Sequence, residues 1–149
     1  MEKKLKKPKI AKLKLEKTGK ILADESEVGY IEFEVDKGYS KKAILDYFKT
    51  YKSIPQIKKI KMPKEFTFIW IAKIYVKQSS RGKGFGTKIL KLMERKFPTK
   101  NLVMGLSPGY LVKTTNIKKL IPFYKRIGYK VIDGGDHYFG FKVVKRSSN

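Results

Sequence analysis

The sequence contains no cysteine and a single histidine, His137, among its 149 residues. Disulfide bonds, cysteine nucleophiles and thiolate metal sites are therefore excluded, and so is a metal site built from several histidines. No apolar run approaches the roughly 18 residues of a transmembrane helix, and the basic N-terminus has no apolar segment of the kind that a signal peptide requires. We therefore expect a soluble cytoplasmic protein with no membrane partner.

Acidic residues are also scarce, with 13 Asp and Glu against 36 Lys and Arg, and the net charge is +23. A charge of this size favours an anionic partner, such as a nucleic acid or an acidic protein. Most of the basic residues are lysines, although arginine makes the better bidentate contacts with phosphate, so a lysine-rich surface without such a partner is the alternative. The length and a hydrophobic content of 41% predict one folded domain, and we expect a monomer or a homodimer.

Alternation of apolar and polar side chains predicts several strands. The clearest is at residues 28–35, where Glu32 and Glu34 lie on one face. Two neighbouring glutamates in a chain this poor in acids favour a general base or a site for a cationic acceptor, and a solvated face neutralised by lysines is the alternative. Further strands are predicted at residues 10–15, 21–23, 102–106, 130–133 and 138–144.

Turn and capping residues divide the remaining segments. Residues 36–38 read as a turn, and Ser40 as the N-cap of a helix that reaches about residue 52. Residues 54–64 form a lysine-rich stretch between prolines that we expect to be irregular. A helix at residues 117–127 either kinks at Pro122 or begins its regular part there, because proline has no backbone N–H to donate.

Residues 66–97 have the pattern of a strand, a glycine-rich turn and a helix. Residues 66–76 are apolar, β-branched or aromatic, which is typical of a strand buried on both faces. Residues 81–86 then read Arg-Gly-Lys-Gly-Phe-Gly. The N-terminus of a helix after such a turn offers unpaired backbone N–H groups and a positive dipole end, and this arrangement binds phosphate. The apolar residues of the helix stand at helical spacing: Ile89, Leu90, Met93 and Phe97.

Three phosphate-binding loops fit this order of elements, and spacing separates them. The loop of P-loop NTPases places a lysine directly after its last glycine, but here Thr87 stands between Gly86 and Lys88. A dinucleotide loop requires a third glycine where Thr87 stands and an acidic residue about twenty positions further on, and the sequence has neither. The third pattern, Arg/Gln-x-x-Gly-x-Gly/Ala, is matched without a gap by Arg81, Gly84 and Gly86.

This third pattern, between the strand at residues 66–76 and a helix, resembles the acetyl-CoA loop of the GNAT N-acetyltransferases. A second segment, Phe-Tyr-Lys-Arg-Ile-Gly-Tyr at residues 123–129, is similar to the Phe-Tyr-x-Lys-x-Gly-Phe segment that closes the same fold. The two segments stand about forty residues apart in the family's order, and the resemblance covers roughly residues 66–144. On these two motifs the chain is identified as a member of that family.

The resemblance implies an α/β (α+β) fold with a single GNAT-like domain at residues 10–146, and the basic run without periodicity at residues 1–9 predicts a flexible arm. The implied central sheet is mixed and mostly antiparallel, with about six or seven twisted strands flanked by helices, and it splays apart at the acetyl-CoA site. Acetyl-CoA is the implied co-substrate, and no metal is required. The residues that the resemblance places at the cofactor are Ile74, Tyr75, Val76, Arg81, Gly82, Lys83, Gly84, Phe85, Gly86, Thr87 and Asn116.

The asparagine of this set departs from the family pattern. The family usually has an asparagine seven residues before the tyrosine, where this chain has Ile117, and Asn116 stands one position further away. We therefore expect the turn around residue 116 to differ from that of other members.

Acetyl transfer from a thioester to an amine needs a neutral amine, a polarised carbonyl and a proton for the leaving thiolate. By resemblance, Tyr124 is the general acid, and a core tyrosine with a structural role is the alternative. The family implies that a backbone N–H near Val76 polarises the carbonyl. Some members carry a glutamate or histidine base on the central strand, but residues 66–76 contain neither. The remaining candidates for the base are Glu32, Glu34, Asp136 and His137.

The lack of a base on the central strand bears on the acceptor. An α-amine has a pKa near 8 and a lysine amine has a pKa near 10.4, so at about pH 8 the α-amine is far more often neutral. The resemblance thus predicts an N-acetyltransferase that acts by direct attack of a primary amine, with a protein or RNA-linked amine favoured over a polyamine, which the positive field repels. The alternative is a basic nucleic-acid-binding module that keeps the fold with little or no catalysis.

Overall fold

Seven strands and four α-helices make up the part of the chain that the structure, a computed structural model, describes: residues 13–23, 26–49, 54–82, 84–107, 117–134 and 138–145. The predicted arm at residues 1–9 lies outside these ranges. The strands are β1 Leu13–Leu15, β2 Lys20–Ala23, β3 Ser26–Tyr39, β4 Phe66–Val76, β5 Asn101–Leu106, β6 Lys130–Asp133 and β7 Tyr138–Lys145. The helices are α1 Lys41–Tyr47, α2 Ile54–Lys58, α3 Phe85–Lys96 and α4 Ile117–Arg126, with a 3₁₀ turn at Gln78–Ser80.

The strands form one sheet in the order β1-β2-β3-β4-β5-β7-β6. The pair β4–β5 is parallel, and the other described pairs are antiparallel. This confirms the mixed, mostly antiparallel sheet and the number of strands that the sequence predicts. Among the described residues, no helix combines the length and the apolar character needed to cross a membrane.

The pairing between β4 and β5 stops before the end of β4. Their pairing runs from Thr67 opposite Leu102 to Ile71 opposite Leu106. Beyond that point β4 continues to Val76, paired with β3 on one side. On its other side no described strand pairs with the last part of β4, where the Val76 carbonyl accepts a hydrogen bond from the Arg81 side chain. The splay predicted for the sheet is therefore confirmed.

Helices cover both faces of the sheet. Helices α3 and α4 pack over one face, and α1 and α2 over the other, so that each face has its own apolar cluster. Each fully buried isoleucine or phenylalanine stabilises the fold by about 1.5–3 kcal/mol. The α3/α4 cluster includes Ile69, Ile71, Ile74, Ile89, Leu90, Met93 and Tyr124, and the α1/α2 cluster includes Ile44, Ile57, Ile60, Phe66, Phe68 and Phe141.

A β-bulge interrupts the alternation of β4. Ile71 lies opposite Phe33 and Lys73 lies opposite Glu32, so Ala72 has no partner of its own on β3. One extra residue moves every later side chain to the opposite face. Before the bulge, Ile71 packs into the α3/α4 cluster; after it, Ile74 does so instead of Lys73. The apolar sequence of this strand gives no sign of the shift.

Two local predictions near residue 40 meet different outcomes. Ser40 caps α1 as predicted, because its Oγ accepts a hydrogen bond from the Ala43 N–H at 3.3 Å. The turn predicted at residues 36–38 is wrong: β3 continues to Tyr39 through an irregular register, and Gly38 absorbs it with a positive φ of 63°. Helix α1 ends at Tyr47 and not near residue 52. The next residue, Phe48, is the C-cap, and its side chain is buried in the aromatic core.

Two later segments also differ from expectation. Residues 54–64, expected to be irregular, contain α2. The Lys41 Nζ donates to the carbonyls of Lys58 and Ile60, the latter at 2.7 Å, and thus fixes α2 to α1. Helix α4 begins at Ile117, so the alternative in which the regular helix starts at Pro122 is wrong.

Candidate active site

The N-terminus of α3 presents unpaired backbone donors. Gly84 precedes the helix in the left-handed conformation, with φ 76° and ψ 15°. The Lys88 N–H donates to the Gly84 carbonyl at 3.3 Å, so the N–H groups of the three residues between them have no acceptor within the helix. The first turn contains no acidic residue. The helix end therefore offers donors and positive potential to an anion.

Arg81 joins the glycine-rich loop to the end of β4. Its Nε donates to the Val76 carbonyl at 3.0 Å. Its guanidinium lies 5.7 Å from the centre of the Tyr75 ring, at the distance of a cation–π contact. Gly82 follows with a positive φ of 80°, which turns the chain toward α3. The loop thus keeps its place against the strand, and the charge of Arg81 stays beside the helix N-terminus.

A cleft of about 350 Å³ lies between the splayed end of β4, the loop, α3 and α4. Most residues assigned to the cofactor from the sequence meet there, although they come from separate segments. The cleft is lined by the predicted residues Ile74, Val76, Arg81, Gly82, Gly84, Phe85, Gly86, Thr87 and Tyr124.

Four further residues line the cleft that the sequence analysis missed: Ser80, Leu90, Leu120 and Phe123. Leu90 stands one helical turn after Gly86, and Leu120 one turn before Tyr124, so helical spacing from each motif would have identified them. A Cβ on Gly86 would lie 3.6 Å from the Phe123 ring. A larger side chain at this position would therefore press α3 away from α4.

Tyr124, from α4, lines this cleft with a buried side chain. It is 3% exposed, and its ring makes edge-to-face contacts with Phe123 and Tyr129 at centroid distances of 5.1 and 5.8 Å. Burial raises the pKa of the Tyr124 hydroxyl above its ordinary value. The hydroxyl makes no hydrogen bond to any residue in the described ranges. It is therefore a neutral donor that is available to a molecule in the cleft.

The carboxylates proposed as bases lie on the other face of the sheet. Ile31 and its neighbours at alternate positions of β3 pack toward α3 and α4, so Glu32 and Glu34 point away from the cleft. Both are exposed, opposite Lys73 and Trp70, and neither forms an ion pair within the described part of the chain. The sheet therefore separates the two carboxylates from Tyr124.

The other predicted residues have separate outcomes. The Tyr75 side chain is 40% exposed and lies outside the cleft, so its predicted role rests on its backbone. Lys83, Asn116, Asp136 and His137 lie outside the described residues, and their roles stay predictions. In the ranges that the structure covers, no three histidine, aspartate or glutamate side chains come together to hold a metal ion.

Comparison with protein families identifies the class. The family model described as an acetyltransferase (GNAT) domain matches residues 19–131, about three quarters of the chain. The chain therefore belongs to the GNAT acetyltransferase family. No curated protein matches the sequence.

Solved structures with a similar fold include several acetyltransferases. One is an acetyltransferase from Thermus thermophilus, 16% identical with a TM-score of 0.47, where the match covers 84% of this chain and 62% of that one. A GNAT acetyltransferase from Streptococcus agalactiae is 12% identical with a TM-score of 0.49, covering 85% and 65%. AtaT, solved with acetyl-methionyl-tRNAfMet, is 17% identical with a TM-score of 0.44, covering 82% and 67%. The chain spans less than two thirds of the length of the first two.

Proposed function

We propose that the protein is an N-acetyltransferase that moves the acetyl group of acetyl-CoA to a primary amine by direct attack. The observation that carries the proposal is the meeting of three groups in one cleft: the N-terminus of α3, the unpaired edge of β4 and the buried Tyr124. An anion site alone fits many ligands. A thioester whose carrier has phosphates at one end and amides along its arm fits all three groups.

The residues present suit acetyl-CoA as the co-substrate. The free N–H groups of Phe85, Gly86 and Thr87, with Arg81, would hold the pyrophosphate. The unpaired backbone at the end of β4 would pair with the amides of the pantetheine arm as an added strand does. The apolar side chains that line the cleft would exclude water around that arm.

The Tyr124 hydroxyl would protonate the thiolate that leaves when the amine attacks. Because burial raises its pKa, this group keeps its proton at the pH values where amines become neutral. A backbone N–H near Val76, at the free edge of β4, would polarise the thioester carbonyl.

The acceptor amine would reach the thioester beside the end of β4, where the pairing with β5 has stopped. We propose that no side chain in the cleft removes the amine proton, and that the amine arrives neutral or loses its proton to water. This favours an amine of lower pKa, such as an α-amine of a protein or an amine linked to RNA. The net charge of +23 disfavours a polyamine. We place the reaction in the cytoplasm, in keeping with a chain that lacks cysteine.

The test is transfer of radioactive acetyl groups from acetyl-CoA to two acceptor pools, total tRNA and a mixture of peptides with free N-termini, using protein freed of nucleic acid. We expect label in one of the pools and micromolar binding of acetyl-CoA by calorimetry. If acetyl-CoA does not bind even at millimolar concentration, the proposal fails, and the fold serves only as a basic binding module.

Replacing both sheet carboxylates, Glu32→Gln with Glu34→Gln, is expected to keep kcat within about threefold of the wild-type value. The reason is that the two groups lie across the sheet from Tyr124, whereas a positioned general base contributes about 100-fold or more. The measurement is the steady-state rate with the acceptor found in the transfer experiment. A loss of about 100-fold would mean that one carboxylate acts as the base from across the sheet.

A further inference from the structure

A second groove, of about 390 Å³, lies beside β6, the edge strand of the described sheet. Its polar lining includes Gln56, Lys59, Lys125 and Lys130, and the buried Tyr129 also lines it. The glutamine and the lysines come from the α2 segment, from α4 and from β6, which are far apart in the sequence. The groove shares no lining residue with the cleft that holds Tyr124. It is therefore a surface separate from the cleft proposed to bind acetyl-CoA.

The charge of this groove is uncompensated. Its three lysines are exposed, no acidic side chain lines it, and none of the three forms an ion pair with another described residue. Three more exposed lysines add to the positive field: Lys58 at the end of α2, and Lys61 and Lys64 in the segment that follows it. Uncompensated like charges around a concavity repel one another in the free protein, and a bound polyanion would relieve this repulsion.

The walls of the groove are firmly placed. Ile57 and Ile60 hold the α2 segment in the core, and Ile132 holds β6 in the same cluster. The Lys41 Nζ fixes the end of α2 through the carbonyls of Lys58 and Ile60. The backbones that carry the lysines therefore need no reordering before a ligand binds, and such preorganisation reduces the cost of binding.

The groove lacks the features of a protein-binding site. Such sites are centred on exposed aromatic or arginine anchors and are depleted in lysine. In the described part of the chain the exposed large apolar side chains are Tyr47 and Tyr75, and neither lines this groove. The aromatic residue that lines the groove, Tyr129, is 3% exposed, so it offers little stacking surface to a single nucleic-acid strand, whose bases stack on aromatic rings. Lysines along a groove fit the phosphate backbone of a double helix.

We propose that this groove binds the phosphate backbone of a double-helical segment of an RNA. The choice of RNA rests on the proposed N-acetyltransferase function, which leaves a protein amine or an RNA-linked amine as acceptor. The charge and shape of the groove favour the RNA-linked amine. The groove would hold the helical part of the acceptor RNA while the amine enters beside the end of β4.

The experiment measures binding of a fluorescently labelled RNA hairpin to the full chain between about 50 and 200 mM salt. The test variant carries Lys59→Gln, Lys125→Gln and Lys130→Gln. The matched control carries Lys14→Gln, Lys17→Gln and Lys20→Gln, which removes the same charge from exposed positions at the β1–β2 edge of the sheet. Acetyl-CoA binding by calorimetry, expected to be unchanged in both variants, reports that each has folded.

We expect the groove variant to bind the hairpin at least about tenfold more weakly, with a slope of log K against log salt reduced by about 2 to 3, since each lost phosphate contact removes about 0.7 to 0.9. The control is expected to lose much less, and saturating acetyl-CoA is expected not to displace the hairpin. Equal losses in the two variants would overturn the proposal and mean that the charge acts diffusely.

Two further arms test the kind of partner. Tighter binding of poly-glutamate or of a DNA duplex than of the hairpin, with the same dependence on the groove lysines, would overturn the assignment to RNA in favour of that polyanion. Groove-dependent hairpin binding by a protein that does not bind acetyl-CoA would retain the groove as an RNA site and reject the proposed acetyl transfer. The two proposals can therefore fail separately.

Discussion

Gly84→Asp is expected to weaken acetyl-CoA binding by about 100-fold or more. The substituted side chain would enter the space in front of the α3 N-terminus, where its carboxylate would repel the pyrophosphate and accept hydrogen bonds from the same backbone N–H groups. Hydrogen bonds to a charged group are worth about 1.5–3 kcal/mol each, so loss of a single such contact with part of the repulsion accounts for this factor. Calorimetric titration with acetyl-CoA measures the effect.

The fold should survive this change. A Cβ on Gly84 would have no described atom within 4 Å beyond its chain neighbours. The backbone there has a positive φ of 76°, a conformation that aspartate and asparagine adopt more readily than most residues. Thermal unfolding of the variant should therefore stay close to that of the wild type, and the loss of binding would be specific to the site.

Gly84→Asn is the matched control, because asparagine has the same shape as aspartate without the charge. We expect it to weaken binding less than Gly84→Asp, and the difference between the two measures the electrostatic part. Wild-type affinity in both variants would mean that the phosphates do not bind at the α3 N-terminus, and would remove the loop from the proposed site.

Tyr124→Phe is expected to lower kcat by about 100-fold, the lower end of what a positioned general acid contributes, with little change in the dissociation constant of acetyl-CoA. The ring fills the same space between Phe123 and Tyr129 in both proteins. The lost hydroxyl has no partner among the described residues, so its removal leaves no described group unsatisfied. The measurement is the steady-state rate together with calorimetry.

Tyr129→Phe is the control for this change. Tyr129 is also buried, its hydroxyl lies 3.8 Å from the Met104 Sδ, and it does not line the cleft. Loss of the Tyr129 hydroxyl should leave kcat unchanged.

The wild-type rate should also rise with pH as the amine loses its proton and show no fall up to about pH 10, because burial raises the pKa of Tyr124. An unchanged rate in Tyr124→Phe would remove this residue from the mechanism.

The parts of the site that are contiguous in sequence could be predicted. The pattern Arg81-x-x-Gly84-x-Gly86 is local, and the backbone conformation that it requires is local too, so the loop lies where spacing places it. Phe123 belongs to the second motif and Leu120 stands just before it, but their place in the cleft depends on the packing of α3 against α4, a tertiary contact that neither motif specifies.

The errors in the fold have physical reasons of the same kind. The sequence Asp36-Lys37-Gly38 has the composition of a turn, but cross-strand pairing with β4 carries β3 through it. Pro122 favours the start of a regular segment, yet α4 extends to both sides of it. In each case tertiary structure overrides a local preference of the chain.

The extra residue in β4 has a consequence for comparing this chain with its relatives. Removal of Ala72 would restore simple alternation and leave Ile74 and Val76 on the α3/α4 face, because Ala72 is the residue without a partner on β3. An alignment of family members across this strand is therefore meaningful only when it allows for the extra residue of the β-bulge at Ala72. An alignment that ignores it would compare side chains on opposite faces of the sheet.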